Sequence, residues 1–169
     1  MNDVTGERLW HVVYTIPKAE RKVALSIDDL GLESYLPLHT VVRQWSDRKK
    51  KLRVPVFPNY VFVKVDTRTR AHLYSIKEVV RFVSISKTPV IVREEEILAI
   101  KKALDYAEDV VPEDYFQEGT KMRITKGQFA GLEGFIVRRN NNARLLVRID
   151  GLLKAFSLNI SPSLGEALR

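Results

Sequence analysis

The residues of this chain whose types could do chemistry are its cations, its carboxylate clusters and its histidines. Between Arg43 and Arg53 the cations Arg43, Arg48, Lys49, Lys50, Lys51 and Arg53 face only Asp47. In a protein of net charge +7, such a segment predisposes the surface toward polyanions such as nucleic acid. A solvated charged loop explains the same run equally well. A smaller set, Lys18, Arg21 and Lys22, gathers near the start of an amphipathic stretch. Three cations that close together can neutralise backbone phosphates. Lys77 and Arg81 flank the strand-like run from Val79 to Val83 and extend the track.

The opposite charge collects from Arg93 to Glu118, where nine acidic residues outweigh three basic ones. Glu94-Glu95-Glu96 opens a helical pattern, where acidic side chains complement the helix dipole by roughly 0.3–1 kcal/mol each. The triplet is therefore a helix start and not a catalytic carboxylate site. His11 sits between Trp10 and Val12 in a strand and reads as structural, and His11, His39 and His72 never approach metal-ligand spacing. With no cysteine, thiolate nucleophiles, Cys-ligated zinc, iron–sulfur clusters and disulfides are excluded. Gly-x-Ser-x-Gly, Walker, Gly-x-Gly-x-x-Gly and His-Glu-x-x-His patterns do not occur. The expectation is a protein that is not an enzyme and needs no cofactor or metal.

The elements that must position these residues follow from periodicity. At 169 residues with 45% apolar content, the chain has room for one medium domain or two small ones. Leu9 to Ile16 is a strand, and Pro17 suits the first helical turn because its missing N–H would be unpaired there anyway. Val23, Ile27 and Leu30 recur at helical spacing, and Gly31 supplies a left-handed stop. Leu32 to Leu38 is a second strand, the basic segment an exposed hairpin or loop, and Tyr60 to Val65 a central strand. Thr67 to Ile76 reads as a short helix, Val79 to Ser86 as a strand, and Glu94 to Ala107 as a helix. That order is an α+β sandwich.

An acidic stretch containing Val110, Val111, Tyr115 and Phe116 then loses its apolar period and reads as a linker. From Thr120 onward, short β-like runs alternate with turn signals at Lys126-Gly127, Asn140-Asn141-Asn142 and Asp150-Gly151. These runs imply a small β-barrel over 119–162. Gly127, Gly131, Gly134 and Gly151 oppose a helical alternative by about 1 kcal/mol each, and Pro162 by about 3. The domain expectation is 1–108, a linker at 109–118, and 119–169. No apolar run approaches the roughly 18 residues of a membrane span, and the start lacks signal-peptide order. A cytoplasmic protein without membrane association is the expectation.

Three motifs in order, Trp10 to Tyr14 (WHVVY), Phe57 to Val63 (FPNYVFV) and Lys126 to Gly134 (KGQFAGLEG), resemble the NusG/Spt5 family of transcription elongation factors. The resemblance covers nearly the whole chain. It implies an NGN-type α/β sandwich joined by the acidic linker to a KOW β-barrel. VPVFPNYVFV, with RQWSDRKKK before it, is similar to the specialised antiterminators of the RfaH and UpxY types, the latter serving polysaccharide operons. Phe57, Pro58 and Tyr60, with Tyr14, are implied to line an apolar pocket for the clamp helices of the RNA polymerase largest subunit. Without the family, those aromatics read as core. Lys18, Arg21 and Lys22 fall where relatives touch the nontemplate DNA strand, and nascent RNA is the alternative ligand. Ile76-Lys77-Glu78-Val79 stands where the family usually has Thr-Pro-Gly-Val, and Gln128 where a proline often follows the glycine. The barrel is implied to recruit ribosomal protein S10 or Rho. A housekeeping NusG role and a ribosome-associated KOW protein that binds RNA are the alternatives.

Overall fold

Branched and aromatic residues fill the first strand, β1 (Leu9–Thr15), and its nearly continuous burial organises the N-terminal unit of the computed structural model. The structure describes residues 6–107, 109–113, 115, 119–139 and 142–168. Phe116, and Asn140 and Asn141 of the expected turn signal, lie outside the described residues. After β1 come α1 (Glu20–Asp29), β2 (Glu33–Tyr35), β3 (Leu38–Gln44), β4 (Lys49–Pro55), β5 (Tyr60–Val65), a 3-10 turn (Thr69–Ser75) and β6 (Val79–Phe82). Then follow β7 (Ser84–Ile85), β8 (Thr88–Pro89), α2 (Glu94–Tyr106), β9 (Val111–Glu113), β10 (Thr120–Ile124), β11 (Glu133–Arg139), β12 (Asn142–Ile149), β13 (Lys154–Asn159) and β14 (Gly165–Ala167).

The chain forms two compact units, the first running to Leu36 and resuming at Phe57–Glu94. Its antiparallel sheet has the order β2-β5-β1-β6. Strand periodicity puts Val13, Val61, Val63 and Val65 on one face, where they pack with Val23 and Ile27 of α1 and with Leu73 and Phe82. Trp10, Val12 and Tyr14 share the other face with their partners Lys64, Phe62 and Tyr60.

The α1 helix begins at Glu20 and not at the expected Pro17. Ile16 to Ala19 turns first: the Ala19 N–H donates to the Ile16 carbonyl at 3.3 Å, and Lys18 takes φ 64°. A residue in the left-handed region cannot be a helical residue, so Lys18 lies outside α1. The other end is as read from sequence. Gly31 has φ 72°, with its N–H on the Asp28 carbonyl and the Leu32 N–H on the Ile27 carbonyl, a Schellman stop. The expected helix at Thr67 to Ile76 is a 3-10 turn. The expected strand at Val79 to Ser86 divides into β6 and β7, which is followed by a tight hairpin to β8 with Ser86 and Lys87 both at positive φ.

The second unit comprises Pro37–Val56 and Glu95–Arg169. It thus groups the β3–β4 hairpin and most of α2 with the C-terminal sheet. Its six strands run antiparallel in the order β14-β10-β11-β12-β13-β9. Leu145, Leu146, Ile149, Phe156 and Leu158 are fully buried there. At Gly134 an added Cβ would lie 2.3 Å from the Leu146 carbonyl oxygen, so only glycine permits this close pairing of β11 and β12.

Part of the expected linker is β9, which pairs with β13 at Val111, Pro112 and Glu113. The buried guanidinium of Arg144 fixes it. Arg144 donates to the Asp109 carboxylate and backbone oxygen at 2.7 Å each, to Ser157 Oγ at 2.7 Å and to Asn159 Oδ1 at 3.0 Å. Ser157 Oγ donates in turn to Glu113 at 2.7 Å. Among the described residues no helix is long and apolar enough to cross a membrane.

Candidate functional site

Tyr14 and Tyr60 face one another across β1 and β5, with ring centroids 5.4 Å apart at 72°. This edge-to-face contact is held by a β-turn that opens β5. In Phe57-Pro58-Asn59-Tyr60 the Tyr60 N–H donates to the Phe57 carbonyl at 3.2 Å, and Asn59 has φ 72°. Proline at the second position and a left-handed Asn at the third are the signature of a type II turn. Three further bonds anchor it. The Asn59 N–H donates to Glu20 Oε1 at 2.8 Å, the Thr15 N–H donates to the Asn59 carbonyl at 2.8 Å, and Asn59 Nδ2 donates to the Tyr14 hydroxyl at 3.2 Å. On the far side of Tyr14, Arg81 is its partner on β6, with the guanidinium carbon 5.4 Å from the Tyr14 ring centroid. Tyr14 and Tyr60 are half-buried, while Pro58 and Arg81 are exposed.

The structure therefore brings Tyr14, Pro58 and Tyr60 together but turns Phe57 inward. Phe57 is 2% exposed and packs edge-on against Phe62 at 6.2 Å. Phe62 lies two residues from Tyr60 and so on the same face of β5, deeper in the sheet. The turn at Pro58–Asn59 interrupts the nearly continuous β pattern of Val54 to Val65 and lets the two aromatics diverge. Phe57 supports the tyrosine pair from the core and contributes no surface to it.

The five expected nucleic-acid residues also separate. Lys18 is exposed in the turn before α1, and Arg21 and Lys22 are exposed in its first turn. Lys22 Nζ meets Glu78 Oε1 at 2.5 Å. The hydrogen bond from Lys22 holds the Glu78 carboxyl below the usual carboxylate range. The Glu78 backbone carbonyl also accepts the Ile16 N–H at 3.0 Å, joining the ends of β1 and β6. Exposed Lys77 adjoins this junction. Arg81 instead belongs to the tyrosine patch, because its ladder partner is Tyr14.

Two residues were missed as site residues in the sequence. Asn59 carried a signal, since Asn after Pro favours a left-handed turn position. Glu20 carried only that of an acid in a first helical turn, and its bond to Asn59 spans 39 residues. Elsewhere the roles are structural. Glu94 Oε2 accepts from Trp10 Nε1 at 2.9 Å and from Lys64 at 3.0 Å, and buried His11 places Nδ1 2.8 Å from the Val90 carbonyl oxygen. Among the described residues, no group of three or more His, Asp or Glu is placed to hold a metal ion.

Comparison with known proteins puts this geometry in a family. The family model described as "Transcription termination factor nusG" matches residues 8–101, a span containing every residue of the tyrosine patch and the cation set. The protein named Transcription termination/antitermination protein NusG from Campylobacter jejuni is 27% identical over 152 residues, covering 83% of this chain and 85% of its own length. Its namesake from Thermus thermophilus is 26% identical over 175 residues, covering 90% and 95%. A solved structure of Thermotoga maritima NusG, titled for its domain interaction, superposes with TM-score 0.53 at 23% identity over 96% of this chain and 98% of that one. That likeness speaks for the fold. The chain belongs to the NusG family of transcription termination and antitermination proteins.

Proposed function

We propose that this chain is a transcription elongation and antitermination factor whose tyrosine patch docks on the clamp helices of the RNA polymerase largest subunit. The observation that carries the reading is the Tyr14–Tyr60 pair, partly exposed beside Pro58 and Arg81 inside the family-matched span. Half-buried aromatics on a rigid sheet offer large contact area at small entropic cost. Lys18, Arg21, Lys22 and Lys77 face the nontemplate DNA strand or the nascent RNA, while Arg81 stands with the tyrosine patch. The factor acts by differential binding: a preference of ~1.4 kcal/mol for the closed clamp shifts the open–closed ratio tenfold.

The specialised form of the proposal is antitermination on polysaccharide biosynthesis operons, and it rests on the likeness of VPVFPNYVFV and RQWSDRKKK to the RfaH and UpxY types. The C-terminal sheet is the candidate surface for ribosomal protein S10 or Rho. In vitro transcription with core polymerase tests the reading. Added protein should suppress pausing, on templates carrying a polysaccharide-operon leader for a specialised factor and on any template for a housekeeping one. Unchanged pausing on both, with no binding to core polymerase, would contradict it.

A further inference from the structure

The most cationic part of the chain is a β-hairpin that the proposed function does not use. β3 and β4 pair from Leu38–Pro55 out to Gln44–Lys49. Strand alternation sorts their side chains. Thr40, Val42 and Gln44 share one face with Arg53, Lys51 and Lys49, while His39, Val41 and Arg43 share the other with Val54, Leu52 and Lys50. The second face is anchored at its base, where His39, Val41, Leu52 and Val54 are partly buried and His39 Nδ1 lies 2.9 Å from the Val110 carbonyl oxygen, and it becomes cationic toward the tip, where Arg43 and Lys50 are exposed. The first face is open, with Val42 59% exposed among its three cations. Lys49, Lys51 and Arg53 recur there about 6.8 Å apart, twice the strand rise of about 3.4 Å.

At the tip the Trp45 N–H donates to the Arg48 carbonyl at 2.8 Å and closes the turn. Trp45 is 51% exposed, and Lys50 Nζ stands 5.6 Å from its ring centroid. A solvated charged loop has no need of an indole at its end. Lys50 pairs with Arg43, and an exposed aromatic beside such cations is an arrangement that binds single-stranded nucleic acid, because bases stack on the ring while lysines and arginines neutralise the phosphates.

We propose that the β3–β4 hairpin is a binding site for single-stranded nucleic acid, in which an unpaired base stacks on Trp45, Arg43 and Lys50 beside it neutralise the flanking phosphates, and Lys49, Lys51 and Arg53 on the opposite face raise the local positive charge. DNA and RNA strands share that chemistry. Bases inside a duplex are already stacked and cannot use the ring, so single strands are preferred. The inference is independent of polymerase docking, since its residues lie outside the tyrosine patch and outside α1.

Intrinsic fluorescence of the full chain reads it directly. The protein has two tryptophans; Trp10 is 2% exposed, so quenching by oligo-dT or oligo-U reports Trp45. Both strands should quench, and a duplex of equal length or polyglutamate should not. Equal quenching by dT and U leaves the ligand a generic single strand, and a preference for one identifies its source. With labelled oligonucleotide, Trp45→Ala should weaken binding roughly five- to hundredfold. Joint replacement of Arg43 and Lys50 by Ala should flatten the salt slope by about 1.4 units, with an unchanged circular dichroism spectrum showing the fold intact. Replacement of Lys18, Arg21 and Lys22 should leave the quenching in place. The proposal is overturned if no strand quenches Trp45 at low salt, if duplex or polyglutamate quenches as well as single strands, or if the Arg43 and Lys50 double variant binds as the native chain does.

Discussion

Glu20 Oε1 accepts the backbone N–H of Asn59 at 2.8 Å, tying the first turn of α1 to the turn that opens β5. Glu20 is a carboxylate only 7% exposed, and this bond explains why it is tolerated there: a buried acceptor satisfies a buried donor. The tyrosine patch depends on it, because Asn59 also carries the bond to the Tyr14 hydroxyl.

Glu20→Ala should therefore destabilise the protein by about 1–3 kcal/mol, the cost of leaving the Asn59 N–H without its acceptor. Glu20→Gln keeps a carbonyl oxygen in place and should recover most of that loss. Urea denaturation of the two variants checks the prediction, and equal stabilities would show that the bond is dispensable.

The Lys22–Glu78 pair makes a pH prediction with a definite sign. Glu78 is held below the usual carboxylate range by the hydrogen bond from Lys22. A depressed folded-state value means that the pair's contribution is present above the ordinary carboxylate range and is lost as pH falls through the lowered value. An NMR titration should place the Glu78 midpoint low, and Lys22→Ala should move it upward. Glu78→Gln should free Lys22 for phosphate and steepen the salt dependence of single-strand binding by about 0.7 units. No change in either measurement would show that the pair does not form in solution.

Much of this arrangement was legible in the sequence, and what was hidden has identifiable causes. β5 at Tyr60–Val65 and the Gly31 stop follow from local pattern, because central-strand β-formers and a left-handed glycine are signals carried by neighbouring residues. The start of α1 was misplaced because Pro17 is equally at home in a helical first turn and in the second position of a type II turn. Phe57 reads as core from its residue type alone, and only the family resemblance places it with the surface aromatics; the turn at Asn59 that separates it from Tyr60 is held by bonds to Glu20 and Thr15, which sequence spacing does not display. The acidic stretch looked like a linker for a similar reason: β9 has little β pattern of its own and is fixed by Arg144, 35 residues from Asp109.

Arg144→Ala should accordingly loosen β9 selectively. Removing a buried guanidinium strands its carboxylate partners, and because Asp109 is partly exposed the cost should be about 3 kcal/mol, the lower end for a broken buried pair. Hydrogen exchange at Val111 and Glu113 should accelerate well before exchange at the buried residues of β12. Native protection of β9 in the variant would assign its anchoring to backbone pairing alone.

In the proposed function Tyr60 presents the polymerase-binding surface and Phe57 supports it from within. The most direct measurement is the affinity of the full chain for core RNA polymerase after Tyr60→Ala, with circular dichroism and urea denaturation run in parallel. Tyr60→Ala should keep its fold and lose roughly 2 kcal/mol or more of binding, as truncation of a hot-spot residue does. Its counterpart Phe57→Ala should show its main loss in stability, about 3–5 kcal/mol. A folded Tyr60→Ala protein that binds core polymerase with native affinity would contradict the claim.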